Sequence, residues 1–280
     1  MSHFAVFGYP IQHSLSPRMH HLFAAQCGLT PFRYTKELIE PHHFTNAVHS
    51  FFQQEGKGLN ITVPFKQEAF LLAQHHLTER AKTAGAVNTL WIENGFLHGD
   101  NTDGIGLVND IKRQGISLKN QRILILGAGG ATRGVILPLL QEECALLHIA
   151  NRTASKAQDI AKTFQAYTPI PISASGLTDI PNQWDIIINA SASSLDNTAL
   201  PISSSLFTST YFTYDMVYTH SGNTPFLEQA QQYGVKQCSD GLGMLVYQGA
   251  EAFFIWNHYY PDVDSVIKTL RHDLHSIQST

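Results

Sequence analysis

Short apolar runs alternate with amphipathic stretches along most of the chain, and that alternation predicts an α/β fold. In the first third, residues 4–8 read as a strand, 17–26 as a helix and 32–39 as a second strand. Residues 42–54 have helical spacing, and 58–63 form a third strand stopped by Pro64. A helix over 67–76 follows, then a hairpin of 86–92 with 96–99 around Asn94-Gly95, a dipeptide that suits a tight turn with positive φ.

A second α/β unit begins with a helix over residues 103–114, closed by Gly115. Residues 122–126 are a short, almost continuous apolar run, the mark of a central parallel strand buried on both faces. Similar runs fall at 146–150, 186–188 and 211–217, and two helices close the chain at about 243–256 and 262–274, the second with Pro261 near its start.

Composition narrows the function classes. The 280 residues, 43% hydrophobic and 14% charged, are enough for two cores. A net charge of −4 and a pI near 6.4 argue against nucleic acid or an anionic membrane as the bulk partner. No leader-like segment or bilayer-long apolar stretch is expected, which points to the cytoplasm. Cys27, Cys144 and Cys238 are far apart and odd in number, so neither a disulfide framework nor a cysteine zinc site is expected. The 15 histidines include adjacent doublets, whose members point in different directions, and no metal-ligand spacing; no metal site is expected.

The strand over 122–126 opens directly into Gly127-Ala128-Gly129-Gly130-Ala131-Thr132-Arg133. Glycines there let the backbone approach a pyrophosphate, and the helix that follows presents free N–H groups and its positive dipole end. A glycine cluster alone is weak evidence; its place between a buried strand and a helix makes it a dinucleotide signal. Which dinucleotide is read at the end of the next strand. An NAD site places a carboxylate there for the ribose 2′-hydroxyl, whereas this chain has Asn151-Arg152-Thr153 and then Lys156. Cations at a helix start oppose its dipole and need another reason, and the charge-assisted donors that a 2′-phosphate requires supply one: NADP(H).

Several polar residues of the first third have ordinary explanations when taken singly. Ser16 suits a helix N-cap with Pro17 at the first position, Asp103 suits a helix cap, and Lys66 suits a solvated surface. Their order along the chain says more. Ser14-Leu15-Ser16-Pro17, the run from Asn60 to Lys66, Ala84-Gly85-Ala86-Val87-Asn88-Thr89 and Asn101-Thr102-Asp103-Gly104 precede the glycine loop. Asn151-Arg152-Thr153, Tyr214-Asp215-Met216, Thr224-Pro225-Phe226-Leu227 and Asp240-Gly241-Leu242-Gly243-Met244-Leu245-Val246 follow it. Together these segments resemble the shikimate dehydrogenase family, of the biosynthetic NADP-dependent type, over nearly the whole chain.

The resemblance implies reversible reduction of 3-dehydroshikimate to shikimate, within chorismate and aromatic amino-acid synthesis. It implies an N-terminal α/β substrate domain over residues 1–103, completed by C-terminal helices returning over 240–280, and a Rossmann-type NADP-binding domain over 104–239. By that likeness Lys66 and Asp103 are the catalytic pair, and Ser14, Ser16, Thr62, Asn88, Tyr218 and Gln248 hold the substrate. Glu79, Gly127, Ala128, Gly129, Gly130, Ala131, Asn151, Arg152, Thr153, Lys156, Met216 and Gly241 are the implied cofactor contacts. The implied partner is a small molecule, and the implied assembly a monomer or homodimer.

Chemistry supports the pair beside the likeness. Hydride addition to a ketone leaves negative charge on oxygen, which an ammonium within hydrogen-bond reach stabilises and protonates. Three positions depart from the family pattern: Tyr9 where Asn is frequent, Leu15 where Lys is common, and Ser194 where Gly usually stands. Serine at the last position puts a left-handed turn there in doubt. Two other readings stay open: a quinate/shikimate dehydrogenase that tolerates NAD, and a nucleotide-binding regulator that kept the fold but not the reaction.

Overall fold

The computed structural model describes residues 2–194, 196 and 198–277. The first sheet takes its strands from β1 (Ser2–Gly8), β2 (Phe32–Leu38), β3 (Gly58–Ile61), β4 (Thr89–Glu93) and β5 (Phe96–Asp100), in the order β2-β1-β3-β4-β5. β1 runs parallel to β2 and β3, and the β4–β5 hairpin is added antiparallel. Asn94 and Gly95 both take positive φ in its turn, as the sequence predicts. The first hairpin strand begins at Thr89 rather than residue 86, because the Val87 N–H is drawn to the Lys66 carbonyl instead of a strand neighbour (2.8 Å).

Helices α1 (Ser16–Gln26), α2 (Phe44–Gln53), α3 (Lys66–Leu72) and α4 (Glu79–Ala84) connect these strands. The sequence pattern does not predict α4. It is short and mostly polar, and is held at its start by the Thr78 side chain, which accepts from the Ala81 N–H, and at its end by Gly85 at φ 63°.

After α5 (Asp103–Arg113) the chain builds a second, wholly parallel sheet. Its strands are β6 (Arg122–Leu126), β7 (Leu146–Asn151), β8 (Ile172–Gly176), β9 (Ile186–Asn189), β10 (Phe212–Asp215) and β11 (Gln237–Ser239), in the order β11-β10-β9-β6-β7-β8. Helices α6 (Gly130–Gln141), α7 (Ala154–Gln165) and α8 (Pro225–Gln232) cover it. Ile123, Leu124, Ile125, Ile186, Ile187 and Ile188 are fully buried, which is why the two central strands read as unbroken apolar runs. The chain starts at β6, runs out to β8 and returns at β9. The strand order therefore switches direction between β6 and β9, where open α/β sheets bind their ligands.

The last helices, α9 (Leu242–Asn257) and α10 (Val263–Ile277), return to the first domain. Leu242, Val246 and Phe253 of α9 and Val266 and Leu270 of α10 share a core with Met19 and Phe23 of α1. This is the α/β architecture expected, with its C-terminal return. α5 packs closely on α9: a methyl group on Gly106 would lie 2.8 Å from Gln248 Cβ and 2.9 Å from its backbone nitrogen, closer than packed atoms come. No helix among the described residues is long and apolar enough to cross a membrane.

Candidate active site

A cavity of about 430 Å³ opens where the first domain, the loop after β10 and α9 meet. Ser14, Ser16, Thr62, Lys66, Asn88, Asp103, Tyr218 and Gln248 all line it, together with Met216 and Gly241. These residues lie far apart along the chain, and the fold brings them to one place.

Lys66 is the first residue of α3 and Asp103 the first of α5. Their side chains meet, Lys66 Nζ donating to Asp103 Oδ2 at 2.5 Å, with side-chain exposures of 22% and 9%. The other carboxylate oxygen accepts from Asn88 Nδ2 at 2.8 Å. Asn88 is itself fixed, its Oδ1 accepting from the Thr102 backbone N–H at 2.9 Å, while Nδ2 also lies 3.3 Å from Gln248 Oε1. The Asp103 N–H donates to Asn101 Oδ1. One carboxylate thus fixes the amine, and a chain of amides fixes the carboxylate.

Two ordinary expectations are corrected here. Ser16 is not an N-cap: α1 begins at Ser16, Leu15 holds the cap position without a side-chain bond, and the Ser16 N–H goes to Ser14 Oγ at 3.3 Å. Ser16 is buried at the cavity wall. Asp103 does not cap α5 either, since both of its oxygens are engaged by Lys66 and Asn88.

Tyr218 faces the cavity from the second domain. Burial, followed by the nearby Asp240 carboxylate, raises its phenol pKa, so it stays protonated. The family likeness singles out Ser14, Ser16 and Thr62 but not Asn60, which also lines the cavity. Asn60 accepts from Tyr34 Oη at 2.7 Å inside a strand whose four residues are all buried. The available signal is a lone amide in an otherwise apolar central strand.

The cofactor side is differently built. Gly127 has φ 117°, and a Cβ there would sit 3.0 Å from the Ala190 carbonyl and the Ser191 nitrogen, so only glycine fits. Gly129 and Gly130 have nothing within 4 Å of an added Cβ and leave an open cradle. α6 starts at Gly130 with no side-chain cap, and Thr132 Oγ1 donates back to the Gly127 carbonyl at 2.9 Å. Its uncapped N–H groups fit the phosphates of a dinucleotide. Ala128 and Ala131 belong to the same turn. Asn151 ends β7; Arg152, Thr153 and Lys156 are exposed or nearly so, and neither cation joins an ion pair among the described residues. Glu79 is not among the residues of the cavity; it is exposed at the start of α4 and pairs with Lys82 at 2.8 Å.

The question of a left-handed turn at Ser194 is also resolved. Ser194 is not among the residues with positive φ, so no such turn is needed there. Its hydroxyl instead donates to the buried Asp215 carboxylate at 2.6 Å, on the same oxygen as Thr224 Oγ1 at 2.6 Å and Asn189 Nδ2 at 3.2 Å. Burial raises the Asp215 pKa, and these donors oppose that shift.

Three family models match the chain in order. The shikimate dehydrogenase substrate binding domain matches residues 6–90, shikimate / quinate 5-dehydrogenase residues 109–198, and the shikimate 5'-dehydrogenase C-terminal domain residues 241–271. The shikimate dehydrogenase (NADP(+)) of Janthinobacterium sp. (strain Marseille) is 48% identical over 273 residues, covering 97% of this chain and 98% of that protein. The chain belongs to the shikimate dehydrogenase family. Solved structures agree with its fold. An Ael1 enzyme from Pseudomonas putida is 39% identical with a TM-score of 0.90, over 96% of this chain and 98% of that one. The shikimate 5-dehydrogenase of Thermus thermophilus, solved in complex with NADP(H) and shikimate, is 31% identical with a TM-score of 0.85, over 97% and 99%. Membership gives the sequence motifs a common origin. The side-chain contacts described above are this chain's own.

Proposed function

We propose that this member of the shikimate dehydrogenase family catalyses the reversible NADPH-dependent reduction of 3-dehydroshikimate to shikimate, with Lys66 as acid and base and Asp103 as its partner. The carrying observation is the Lys66–Asp103 contact of 2.5 Å at the wall of a cavity that also receives Met216, Tyr218 and Gly241 from the dinucleotide side. Curated relatives that match nearly the whole chain are NADP(+)-dependent shikimate dehydrogenases, which supports both the substrate and the cofactor.

Bound NADPH supplies the hydride that reduces the ketone carbon. Lys66 does the rest at the oxygen: its ammonium stabilises the developing negative charge and passes one proton to it, leaving a neutral amine that regains its proton from solvent. Asp103 holds that amine in place through one oxygen and is itself steadied by Asn88 through the other. In the oxidative direction Lys66 takes the hydroxyl proton, and one proton is released overall, so raising the pH favours oxidation by mass action. Ser14, Ser16, Thr62, Asn88 and Gln248 present hydroxyls and amides suited to a carboxylate and ring hydroxyls, and Tyr218 closes the site as a neutral phenol. The Gly127 turn and the start of α6 hold the pyrophosphate, and Arg152 and Lys156 the 2′-phosphate. The three cysteines are free, which suits a reducing cytoplasm.

The test is the near-ultraviolet absorbance of the purified protein with shikimate or quinate, each with NADP+ or NAD+. Rapid reduction of NADP+ by shikimate, with the other three combinations slower, is the expected result. No reduction of either cofactor by either acid would refute the reading.

A further inference from the structure

We propose that Arg80 is a positioning residue that sets both Asp103 and Gln248, an inference that rests on the function proposed above. Arg80 lies in α4, outside the cavity, and its guanidinium is largely buried between two carboxylates. Nε donates to Asp100 Oδ1 at 2.8 Å and Nη2 to Asp100 Oδ2 at 2.6 Å, a two-toothed grip on the end of β5. The same Nη2 donates to Glu251 Oε1 on α9 at 3.0 Å.

Each arm leads to one side of the site. Asp100 stands three residues before Asp103 and is 3% exposed at its side chain. Its Oδ1 accepts from Thr78 Oγ1 and from the Asn101 N–H, its backbone carbonyl accepts from the Asn88 N–H at 2.9 Å, and Asn101 in turn receives the Asp103 N–H. The first arm therefore fixes the backbone from which Asp103 and Asn88 project. Glu251 stands three residues beyond Gln248, nearly one helical turn further along the same helix. The second arm sets the height of α9 against β5, and with it the approach of Gln248 to Asn88 and of the Gln248 carbonyl to Thr102 Oγ1, 3.0 Å away. One cation joins the end of β5, from which the chain runs on to the catalytic carboxylate, to the helix that returns from the far end of the chain.

This geometry separates the kinetic effects. Arg80→Met is expected to lower kcat for shikimate oxidation and raise the shikimate KM, each about tenfold or more, with the NADP+ KM within about twofold of wild type. Arg80→Lys keeps the charge without the fork and is expected to recover part of both losses. Glu251→Gln, which weakens only the α9 arm, is expected to raise the shikimate KM about threefold with kcat unchanged. Wild-type constants in both Arg80→Lys and Glu251→Gln would overturn the proposal, as would a rise in the NADP+ KM matching that for shikimate. Should Arg80→Met fail to fold, these two variants still decide. If the wild-type protein does not oxidise shikimate, the function reading fails rather than this one. Crystal structures of wild type and Glu251→Gln then decide: loss of the Asn88–Gln248 contact in the variant supports Arg80 as the positioning residue, and its retention overturns it.

Discussion

On the wall supplied by the first domain, the groups that would touch substrate already hold one another. Lys66 is held by Asp103, Asp103 by Asn88, and Asn88 by Thr102. Across the cleft, the groups assigned to the dinucleotide stand free: Gly129 and Gly130 border open space, and Arg152 and Lys156 are exposed. The difference follows from what each side must recognise. A small ring carries a few hydroxyls in fixed directions, and a misplaced donor loses both binding and rate, so those donors are locked before the ligand arrives. Phosphates are large, charged and tolerant of direction, so backbone amides and flexible cations suffice.

The contrast can be broken at its centre first. Lys66→Ala is expected to lower kcat about a thousandfold while cofactor affinity stays within about twofold, as measured by steady-state kinetics and fluorescence titration of NADPH. Asp103→Asn frees Lys66 and disturbs Asn88 at once, so kcat is expected to fall about a hundredfold and the shikimate KM to rise. On the open side, Arg152→Ala is expected to raise the NADP+ KM about tenfold and leave the NAD+ KM unchanged, because only the 2′-phosphate loses a charge-assisted donor. An equal rise for both cofactors would mean that Arg152 does not read that phosphate.

Smaller effects sharpen the picture. Ser194→Ala removes a donor from the buried Asp215 carboxylate and is expected to cost about 2 kcal/mol in urea unfolding, since a buried charged acceptor loses a partner. His20 gives a pH handle on the first domain. Its ring is fully buried, stacked on Tyr34 with neither nitrogen bonded, and burial pulls its pKa down to about 3. Below an unfolded pKa of about 6.5, the unfolded chain takes up a proton that the folded chain refuses, so stability falls as pH drops from there toward the folded value, by about 1.4 kcal/mol per pH unit. His20→Phe is expected to flatten that slope, read as thermal midpoints between neutral and mildly acidic pH.

The parts of the molecule decided by local pattern are legible in the sequence. Residues 123–126 and 186–188 announce the central strands because burial on both faces leaves no polar position. The glycine turn announces itself because nothing else fits at Gly127. What escapes depends on partners distant in sequence. Asn88 and Gln248 are 160 positions apart, and no spacing rule connects them. α4 escapes because it has little apolar face of its own; its place is set by Thr78 and by the grip of Arg80 on Asp100. Ser16 reads as a cap because Ser-Pro before a helix satisfies the local rule equally well, and only the fold shows that Ser16 is already inside the helix with its own N–H given to Ser14 Oγ. The family likeness names candidate residues that local reasoning does not reach.

The tight crossing at Gly106 has a consequence for how this chain can vary. The helix that leads out of the first domain touches the helix that leads back at Gln248, the residue proposed to offer an amide to the ring, with no room for one added carbon. The joint between the halves and the fit of the substrate are therefore a single structural commitment. Grafting a foreign nucleotide-binding half onto this first domain succeeds only if the donor keeps that contact, whereas the loops around Arg152 can be exchanged without disturbing the ring site.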